Sequence, residues 1–272
     1  LTAWLMTGSS SLLASLTDSM MDISASLISL MAVRYALIPA DDNHQFGHGK
    51  AESLASLAQA AFITGSAVVL LMHGVDALID PKPLMHVSVG IWISVASLIM
   101  TPILITFQSY VIKLTGSQAV KADALHYRSD VLLNAAVLLA LVLSSQGFPN
   151  ADAVFALLLG GYILWSALQI GYESIQTLLD RQLPEDECQQ IKDICCAVDG
   201  VRGIHDLKTR LSGPVRFIQL HLELDDELPL VKAHELADMA EQQLKKQFPV
   251  SDILIHMDPV SVLTKENVHH ES

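Results

Sequence analysis

The chain has 272 residues, of which 51% are hydrophobic and 17% are charged, and its formal net charge is −13 at pH 7. Its mean hydropathy is positive. This excludes an ordinary soluble protein of this length and indicates an integral membrane protein. The negative charge also excludes a nucleic-acid-binding protein, because contact with phosphates requires a basic surface.

Charged residues are distributed unevenly along the chain. Residues 1–177 contain 11 acidic and 6 basic residues, whereas the remaining 95 contain 18 acidic and 10 basic residues. We therefore expect a sparsely charged membrane part followed by a water-soluble part. The predicted division is a transmembrane domain at 1–177, a linker at 178–184, a second domain at 185–265 and a disordered tail at 266–272.

Six transmembrane helices are predicted. Residues 1–7 are apolar but far shorter than the roughly 20 residues that a helix needs to cross a bilayer, so they are interpreted as the end of a truncated first helix. The other five apolar segments are 9–37, 51–78, 87–112, 119–145 and 151–177. No signal-peptide pattern is recognisable. The expected fold class is an α-helical membrane protein with an additional domain.

Basic residues predict the orientation in the membrane. Loops rich in Lys and Arg stay in the cytoplasm, according to the positive-inside rule. One side has Lys50, Lys113, Lys121 and Arg181, whereas the other has only Lys82. The even-numbered helices and the C-terminal domain are therefore expected to end in the cytoplasm.

The C-terminal part has the pattern of a small α/β domain. Two segments have helical spacing and three alternate between apolar and polar residues. The helices are predicted at 185–198 and 230–247, and the strands at 204–211, 215–224 and 251–258. The element order is therefore αββαβ, as in metallochaperone-like domains.

Four ionisable residues lie within the predicted transmembrane helices: Asp18, Asp22, His126 and Asp130. Such residues are costly in lipid and usually mark a functional site. Each pair has i,i+4 spacing, which places both side chains on one helix face about 6 Å apart. Three carboxylates and one imidazole could form a tetrahedral site for Zn²⁺. The alternative is that they only hold the helices together. Asp123, near the predicted membrane boundary, is interpreted as an interfacial charge.

Three motifs in the chain resemble the cation diffusion facilitator family. They are Asp18-Ser-Met-Met-Asp22, the loop from Asp41 to Glu52, and His126-Tyr-Arg-Ser-Asp130. The resemblance covers essentially the whole chain. It implies a homodimeric antiporter of the bacterial inner membrane that exports Zn²⁺ and Cd²⁺ in exchange for protons. Fe²⁺ and Mn²⁺ are further candidate substrates.

The resemblance assigns Asp18, Asp22, His126 and Asp130 to the transport site. His126 favours Zn²⁺ and Cd²⁺, because nitrogen is a softer donor than oxygen and manganese-selective relatives tend to have Asp there. Metal ligands must be deprotonated, so metal binding and proton binding compete. An imidazole titrates near physiological pH, which makes His126 the expected proton-coupling residue, assisted by Asp22.

A second candidate metal site lies in the loop between the second and third predicted helices. Asp41, His44 and His48 have the spacing D-x2-H-x3-H, which can supply three ligands, with water as the fourth. The family resemblance assigns them to a loop metal site. The alternative is a solvated loop with histidines at its surface.

A third candidate site lies in the C-terminal domain. Alternation places His221, His256 and Asp258 on the polar face of the predicted sheet, opposite its apolar residues. The resemblance implies a site for two zinc ions formed by His205, His221, His234, His256 and Asp258. Without it, a solvated sheet surface is the favoured interpretation of these residues, because the polar face of a sheet usually contacts only water.

Dimerisation is expected from the resemblance and from one sequence pattern. The third predicted helix carries a stripe of small residues, a feature that lets helices approach closely. The stripe comprises Ala51, Ala55, Ala58 and Gly65. It is equally compatible with packing inside one protomer. A charge interlock between Lys50 and Asp180 near the dimer contact is a further hypothesis.

Two other classes of function are considered. A metalloenzyme is disfavoured, because the chain has no HExxH motif, no nucleophile elbow and no general base beside the four residues. Transport as predicted involves no covalent chemistry, so an enzyme is not expected. The remaining alternative is a metal-sensing or metal-binding membrane module without transport.

Overall fold

The computed structural model describes residues 26–79, 87–146 and 150–261. The chain divides into two compact units, Leu1–Ile175 and Gln176–Ser272, each with its own hydrophobic core. Asp18 and Asp22 lie outside the described residues. The predicted truncated first helix and the predicted tail also lie outside them.

The first unit is helical. Its described helices are α1 (Ser26–Ala36), α2 (Lys50–Ile79), α3 (Val87–Thr115), α4 (Gln118–Ser145) and α5 (Ala151–Leu178). They correspond to the second to sixth predicted transmembrane helices. By length and composition, α2 and residues 153–178 of α5 are suited to cross a membrane. The six-helix topology stays a prediction.

Small residues allow α2 and α5 to pack closely. Ser174 Oγ on α5 donates a hydrogen bond to Ser56 Oγ on α2, at 3.0 Å. A Cβ added at Gly171 would lie 3.6 Å from the Cβ of Ala60. Close approach of this kind is how helices associate in lipid, where apolar burial provides no driving force. The core of this unit comprises Ala60, Ile63, Ala67, Ala122, Leu125, Ile163, Ala167 and Ile170.

The outer faces of these helices carry large apolar side chains. Exposed examples on α2 and α5 are Phe62, Val69, Met72, Leu158 and Trp165. A bilayer would solvate these groups, whereas water would not.

The predicted small-residue stripe is on a different face of α2 from the residues packed against α5. Ala58 and Gly65 are exposed, and no atom of the described residues lies within 4 Å of a Cβ added at Gly65. Ser56, Ala60 and Ala67 form the packed face instead. Dimerisation through the stripe stays a prediction.

The second unit has the predicted αββαβ order. Its elements are α6 (Glu185–Cys196), β1 (Gly203–Ser212), β2 (Val215–Leu224), α7 (Leu230–Gln247) and β3 (Ser251–Pro259). The three strands form one sheet in the order β1-β2-β3. β1 and β2 are an antiparallel hairpin, whereas β3 is parallel to β2. The parallel pair requires a crossover, which α7 supplies.

The two faces of this sheet differ as the alternation predicts. The apolar residues of β2 are buried in a core that also includes residues of α6 and α7. On β2 they are Ile218, Leu220, Leu222 and Leu224. The opposite face carries His205, His221 and His256 at aligned positions, because His205 pairs with His221 across β1 and β2, and His221 with His256 across β2 and β3. Three strands thus place three imidazoles in one row.

Candidate functional site

His126 and Asp130 lie one above the other on α4. His126 Nε2 is 3.7 Å from Asp130 Oδ2, and both side chains are partly buried. The i,i+4 spacing therefore does place an imidazole and a carboxylate on the same face of a helix in the membrane part. Because Asp18 and Asp22 lie outside the described residues, the four-ligand transport site stays a prediction.

Asp123, one turn before His126, is bonded to three other helices. Its carboxylate accepts hydrogen bonds from Ser26 Oγ of α1 (3.4 Å), Gln59 Nε2 of α2 (3.3 Å) and Gln108 Nε2 of α3 (2.7 Å). The interpretation of Asp123 as an interfacial charge did not include these contacts. The sequence carried no signal for them, because the three partners come from distant segments.

The loop between α1 and α2 brings Asp41, His44 and His48 together. One potential ligand atom from each residue lies within 4.8 Å of the others. His48 Nε2 is 3.1 Å from His44 Nδ1 and 3.3 Å from Asp41 Oδ2. This cluster could hold a divalent cation with water as a fourth ligand.

Local hydrogen bonds fix the loop. Asp41 Oδ1 accepts bonds from the backbone N–H groups of Asn43 (2.9 Å) and His44 (2.6 Å), which form an Asx turn. These backbone bonds, chiefly that of His44, hold the pKa of Asp41 below its ordinary value. His48 is buried, with Nδ1 3.3 Å from Ile38 O, so its Nε2 faces the cluster. The solvated-loop alternative does not account for a buried His48.

Asp258 is the centre of the cluster on the open face of the sheet. Its Oδ2 lies 2.6 Å from His221 Nδ1 and 3.4 Å from His205 Nε2, whereas its Oδ1 lies 3.1 Å from His256 Nε2. The two oxygens therefore contact different imidazoles. A carboxylate in this position could bridge two metal ions.

The charge of Asp258 is favoured by its neighbours. Partial burial acts to raise the pKa of Asp258, but the hydrogen bond from His221 and the nearby imidazoles of His256, His221 and His205 lower it overall. The carboxylate is therefore available to a cation at neutral pH. One ligand atom each from His205, His221 and Asp258 lies within 4.8 Å of the others, so the donor set fits a divalent metal such as Zn²⁺.

His234 is not part of this group in the described chain. It lies on α7, where its Nε2 is 3.6 Å from Asp238 Oδ2 one turn away. Its assignment to the two-zinc site stays a prediction.

Two models of protein families match the chain. The cation efflux transmembrane domain matches residues 1–179, and the cytoplasmic domain of cation efflux proteins matches residues 183–260. The chain belongs to the cation efflux family. The resemblance inferred from the three motifs is thus confirmed.

The relatives of this chain include named cation efflux proteins. It is 56% identical over 269 residues to the cation-efflux pump FieF of Escherichia fergusonii, which covers 99% of this chain and 90% of that protein. It is 57% identical over 264 residues to the protein of the same name from Shigella boydii serotype 18, with coverages of 97% and 88%. A solved structure of CzrB in its zinc form is 33% identical. That match covers 30% of this chain and 94% of that chain, with a TM-score of 0.29.

Two acidic residues beside the sheet cluster of this cation efflux protein were missed by the sequence analysis. Glu223 Oε1 is 3.1 Å from His205 Nδ1, and Asp206 Oδ2 is 3.7 Å from His221 Nε2. Glu223 could have been found, because it follows His221 by two residues on the same strand face. Asp206 could not, because it lies at an irregularity in the β1–β2 register and has a φ of 47°.

The two residues of the hypothetical charge interlock lie in different units. Lys50 begins α2 in the first unit, and Asp180 follows α5 in the second. Within the second unit, Arg210 Nη1 lies 3.4 Å from Asp180 Oδ1. The interlock stays a prediction.

Proposed function

We propose that this protein exports divalent metal cations across the bacterial inner membrane in exchange for protons. The observation that carries the proposal is the His126 and Asp130 pair on α4 of a chain that belongs to the cation efflux family. Relatives with 56–57% identity over nearly the whole chain are named cation-efflux pumps. The matched cytoplasmic domain supports a C-terminal unit on the cytoplasmic side.

In the proposed mechanism, the cation binds to Asp18, Asp22, His126 and Asp130 while this site is open to the cytoplasm. The helices then rearrange so that the site opens to the other side of the membrane. Protons arriving there compete for the carboxylates and the imidazole, and the cation is released. The empty site, with its ligands protonated, then opens to the cytoplasm again. The lower proton concentration there lets the ligands lose their protons, so that they can bind the next cation. His126 and Asp22 are the proposed proton carriers.

Zn²⁺ is the proposed principal substrate, and Cd²⁺ is the next. One imidazole among three carboxylates suits these borderline and soft ions better than Mn²⁺, whereas Fe²⁺ is intermediate. His126→Asp is therefore expected to reduce Zn²⁺ transport and to increase Mn²⁺ transport. Uptake of both metals into proteoliposomes would be compared for the parent and the variant. An unchanged ratio of the two rates would remove His126 as the selecting residue.

The second unit is proposed to dimerise and to bind zinc at the Asp258 cluster. The support is the arrangement of His205, His221 and His256 around the two oxygens of Asp258. Metal held by such a cluster stabilises the fold that positions its ligands. The loop cluster of Asp41, His44 and His48 is proposed as a further cation site near α2.

Transport in vesicles tests the main proposal. Purified protein is reconstituted into proteoliposomes, and Zn²⁺ uptake is followed with an internal fluorescent indicator while a pH gradient is imposed. The parent should take up Zn²⁺ only when the gradient has the correct direction, and Asp22→Ala should be inactive. The control is Asp76→Asn, which replaces an exposed carboxylate near the C-terminal end of α2. This variant should retain transport. Equal uptake by Asp22→Ala and the parent would refute the transporter.

A metal-binding membrane module without transport is the second candidate, and the Asp258 cluster is the observation in its favour. Such a module would bind Zn²⁺ in detergent but would move none across the vesicle membrane. The uptake experiment therefore separates the two functions.

A further inference from the structure

The carboxylate of Asp123 accepts fewer hydrogen bonds than it has acceptor positions for. Asp123 Oδ1 accepts two hydrogen bonds, from Ser26 and Gln59, whereas Oδ2 accepts one, from Gln108. An ionised carboxylate has about four lone-pair positions. One acceptor position on Oδ2 therefore has no donor in the described part of the chain.

Gln108, which donates to Asp123, has an unsatisfied acceptor of its own. Its side chain is buried, with 6% of the residue exposed, and its Oε1 has no hydrogen-bond partner among the described residues. Its Nε2 is 2.7 Å from Asp123 Oδ2. The amide cannot be turned around, because Oε1 would then face the carboxylate and repel it. Buried carbonyl oxygens are almost always paired, so an unpaired one at this position indicates a missing partner.

The partners of Asp123 are all neutral. Hydrogen bonds from one hydroxyl and two amides spread its negative charge, and within the described residues the titratable group acting on it is His126, one turn further along α4, with no Lys or Arg in an ion pair. A carboxylate inside a membrane part is costly without a counter-ion. A carboxylate oxygen and an amide oxygen that each have an unused acceptor position are the ligand types that a divalent cation takes.

The neighbouring amide, Gln59, differs from Gln108. Its Oε1 accepts a hydrogen bond from Ser29 Oγ at 3.1 Å, and its Nε2 donates to Asp123. Both ends of this amide are therefore used, as expected for a structural contact. Among the described residues around Asp123, the oxygens with unused acceptor positions lie on the Gln108 side.

The position of Asp123 along α4 relates it to the transport site. With a rise of 1.5 Å per residue, Asp123 lies about 4.5 Å along the helix axis from His126 and about 10 Å from Asp130. It lies between these residues and the start of α4 at Gln118. The predicted orientation places that end of α4 at the cytoplasmic side. A cation that enters from the cytoplasm would therefore reach Asp123 before His126.

We propose that Asp123 and Gln108 form an entry site that binds the hydrated divalent cation before it reaches the transport site. Its protein ligands are Asp123 Oδ2 and Gln108 Oε1, and waters complete the coordination. One carboxylate and one amide oxygen bind divalent cations weakly, as a site that passes its ion onward requires. The role as an entry site rests on the proposed transport function.

Terbium luminescence tests for the site directly. Tb³⁺ prefers oxygen ligands and emits strongly when a nearby tyrosine transfers energy to it. Tyr127 is suitable, because its OH is 3.0 Å from Ser26 Oγ, which contacts Asp123. In the full chain in detergent, Tb³⁺ emission should decrease in Asp123→Asn, Gln108→Met and Tyr127→Phe. It should persist in Asp22→Ala, which removes a carboxylate of the proposed transport site.

Transport kinetics distinguish an entry site from a structural contact. Asp123→Asn should raise the KM for Zn²⁺ by about tenfold, the lower end of what local charge contributes to the capture of ions, and should retain kcat. Gln108→Met removes a ligand oxygen but no charge, so it should also raise KM and retain kcat. Gln59→Met is the matched control: it should change KM less than Gln108→Met, because both ends of Gln59 are already bonded. A structural role would instead lower kcat and the unfolding temperature in all three variants.

Either of two results would overturn the entry site. One is parent Tb³⁺ emission in Asp123→Asn, and the other is its complete loss in Asp22→Ala, which would place the ion at the transport site. Failure of the proposed function would give a different result, because the parent protein itself would then transport no Zn²⁺.

Discussion

At the scale of single residues, burial distinguishes the cysteines of the second unit. Cys188 and Cys195 are buried on the inner face of α6, and Cys196 is exposed. Burial raises the pKa of Cys195 to about 12, with a smaller contribution from Cys196. The buried thiols pack as small apolar groups in the core, so they are not candidates for metal ligands or for reactive sites.

The raised pKa of Cys195 predicts a loss of stability in alkaline solution. Between the ordinary value of 9.0 and the folded value of about 12, the unfolded chain loses this proton while the folded chain keeps it. The unfolded state then binds fewer protons, so the free energy of unfolding falls as pH rises, by up to about 1.4 kcal/mol per pH unit. The measurement is a urea titration of the full chain in detergent at pH 8 and pH 10, with alkylation of Cys188 reporting unfolding.

Two variants make this prediction specific. Cys195→Ala should lose most of the additional sensitivity to alkaline pH, whereas Cys196→Ala should retain it, because that side chain is exposed. If Cys195→Ala and the parent lose stability equally between the two pH values, burial of this thiol is not the cause.

At the scale of elements, small residues determine how the membrane helices pack. Gly160 on α5 faces α2, and a Cβ added there would lie 2.9 Å from the Leu71 side chain and 3.5 Å from the Ala67 carbonyl oxygen. Gly161, the next residue, is exposed, and within the described part of the chain no atom lies within 4 Å of a Cβ added there. Two adjacent glycines therefore have different roles, which helical periodicity alone assigns only once the packed face is known.

Substitution of these two glycines should have different effects. Gly160→Val is expected to destabilise the helical unit by about 1–3 kcal/mol, because the new side chain overpacks the contact between α2 and α5. Gly161→Val, the matched control, should leave stability nearly unchanged. Thermal unfolding of the full chain in detergent would be compared for both variants and the parent. Equal unfolding temperatures for the two variants would show that α2 and α5 do not pack as described.

At the scale of the whole molecule, a metal transporter must keep its charged residues organised while its helices move. The first unit uses few charges, and several of them are paired across helices. Lys121 of α4 forms an ion pair with Glu173 of α5, and Glu52 Oε1 of α2 accepts a hydrogen bond from the Ala119 backbone N–H of α4 at 3.2 Å. These contacts join α2, α4 and α5 near the start of α4. Rearrangement during transport is expected to preserve or exchange them, because an unpaired charge near the bilayer is unfavourable.

Charge reversal tests the hypothetical interlock between Lys50 and Asp180 in the dimer. Lys50→Asp or Asp180→Lys alone should lower the dimer fraction, since each places like charges together, and the double variant should restore it. Analytical ultracentrifugation in detergent measures the dimer fraction. Arg210→Gln is the control for the contact between Arg210 and Asp180 inside the second unit, and it should leave the dimer unchanged. Two single variants with the parent dimer fraction would eliminate the interlock.

The sequence by itself determined the features that depend on local periodicity. Long apolar segments predicted helices that coincide with α2, α3, α4 and α5, and alternation predicted the strands and the apolar face of the sheet. The i,i+4 spacing was sufficient to place His126 beside Asp130, because one helix fixes both side chains. The motifs were sufficient to indicate the family.

Only the tertiary structure decided which distant residues meet. It placed the two oxygens of Asp258 against different imidazoles, buried His48 within the loop cluster and surrounded Asp123 with polar groups from three other helices. These contacts depend on strand register and helix packing, which bring together segments far apart in the chain. Periodicity describes one element at a time, so no local pattern could have specified them.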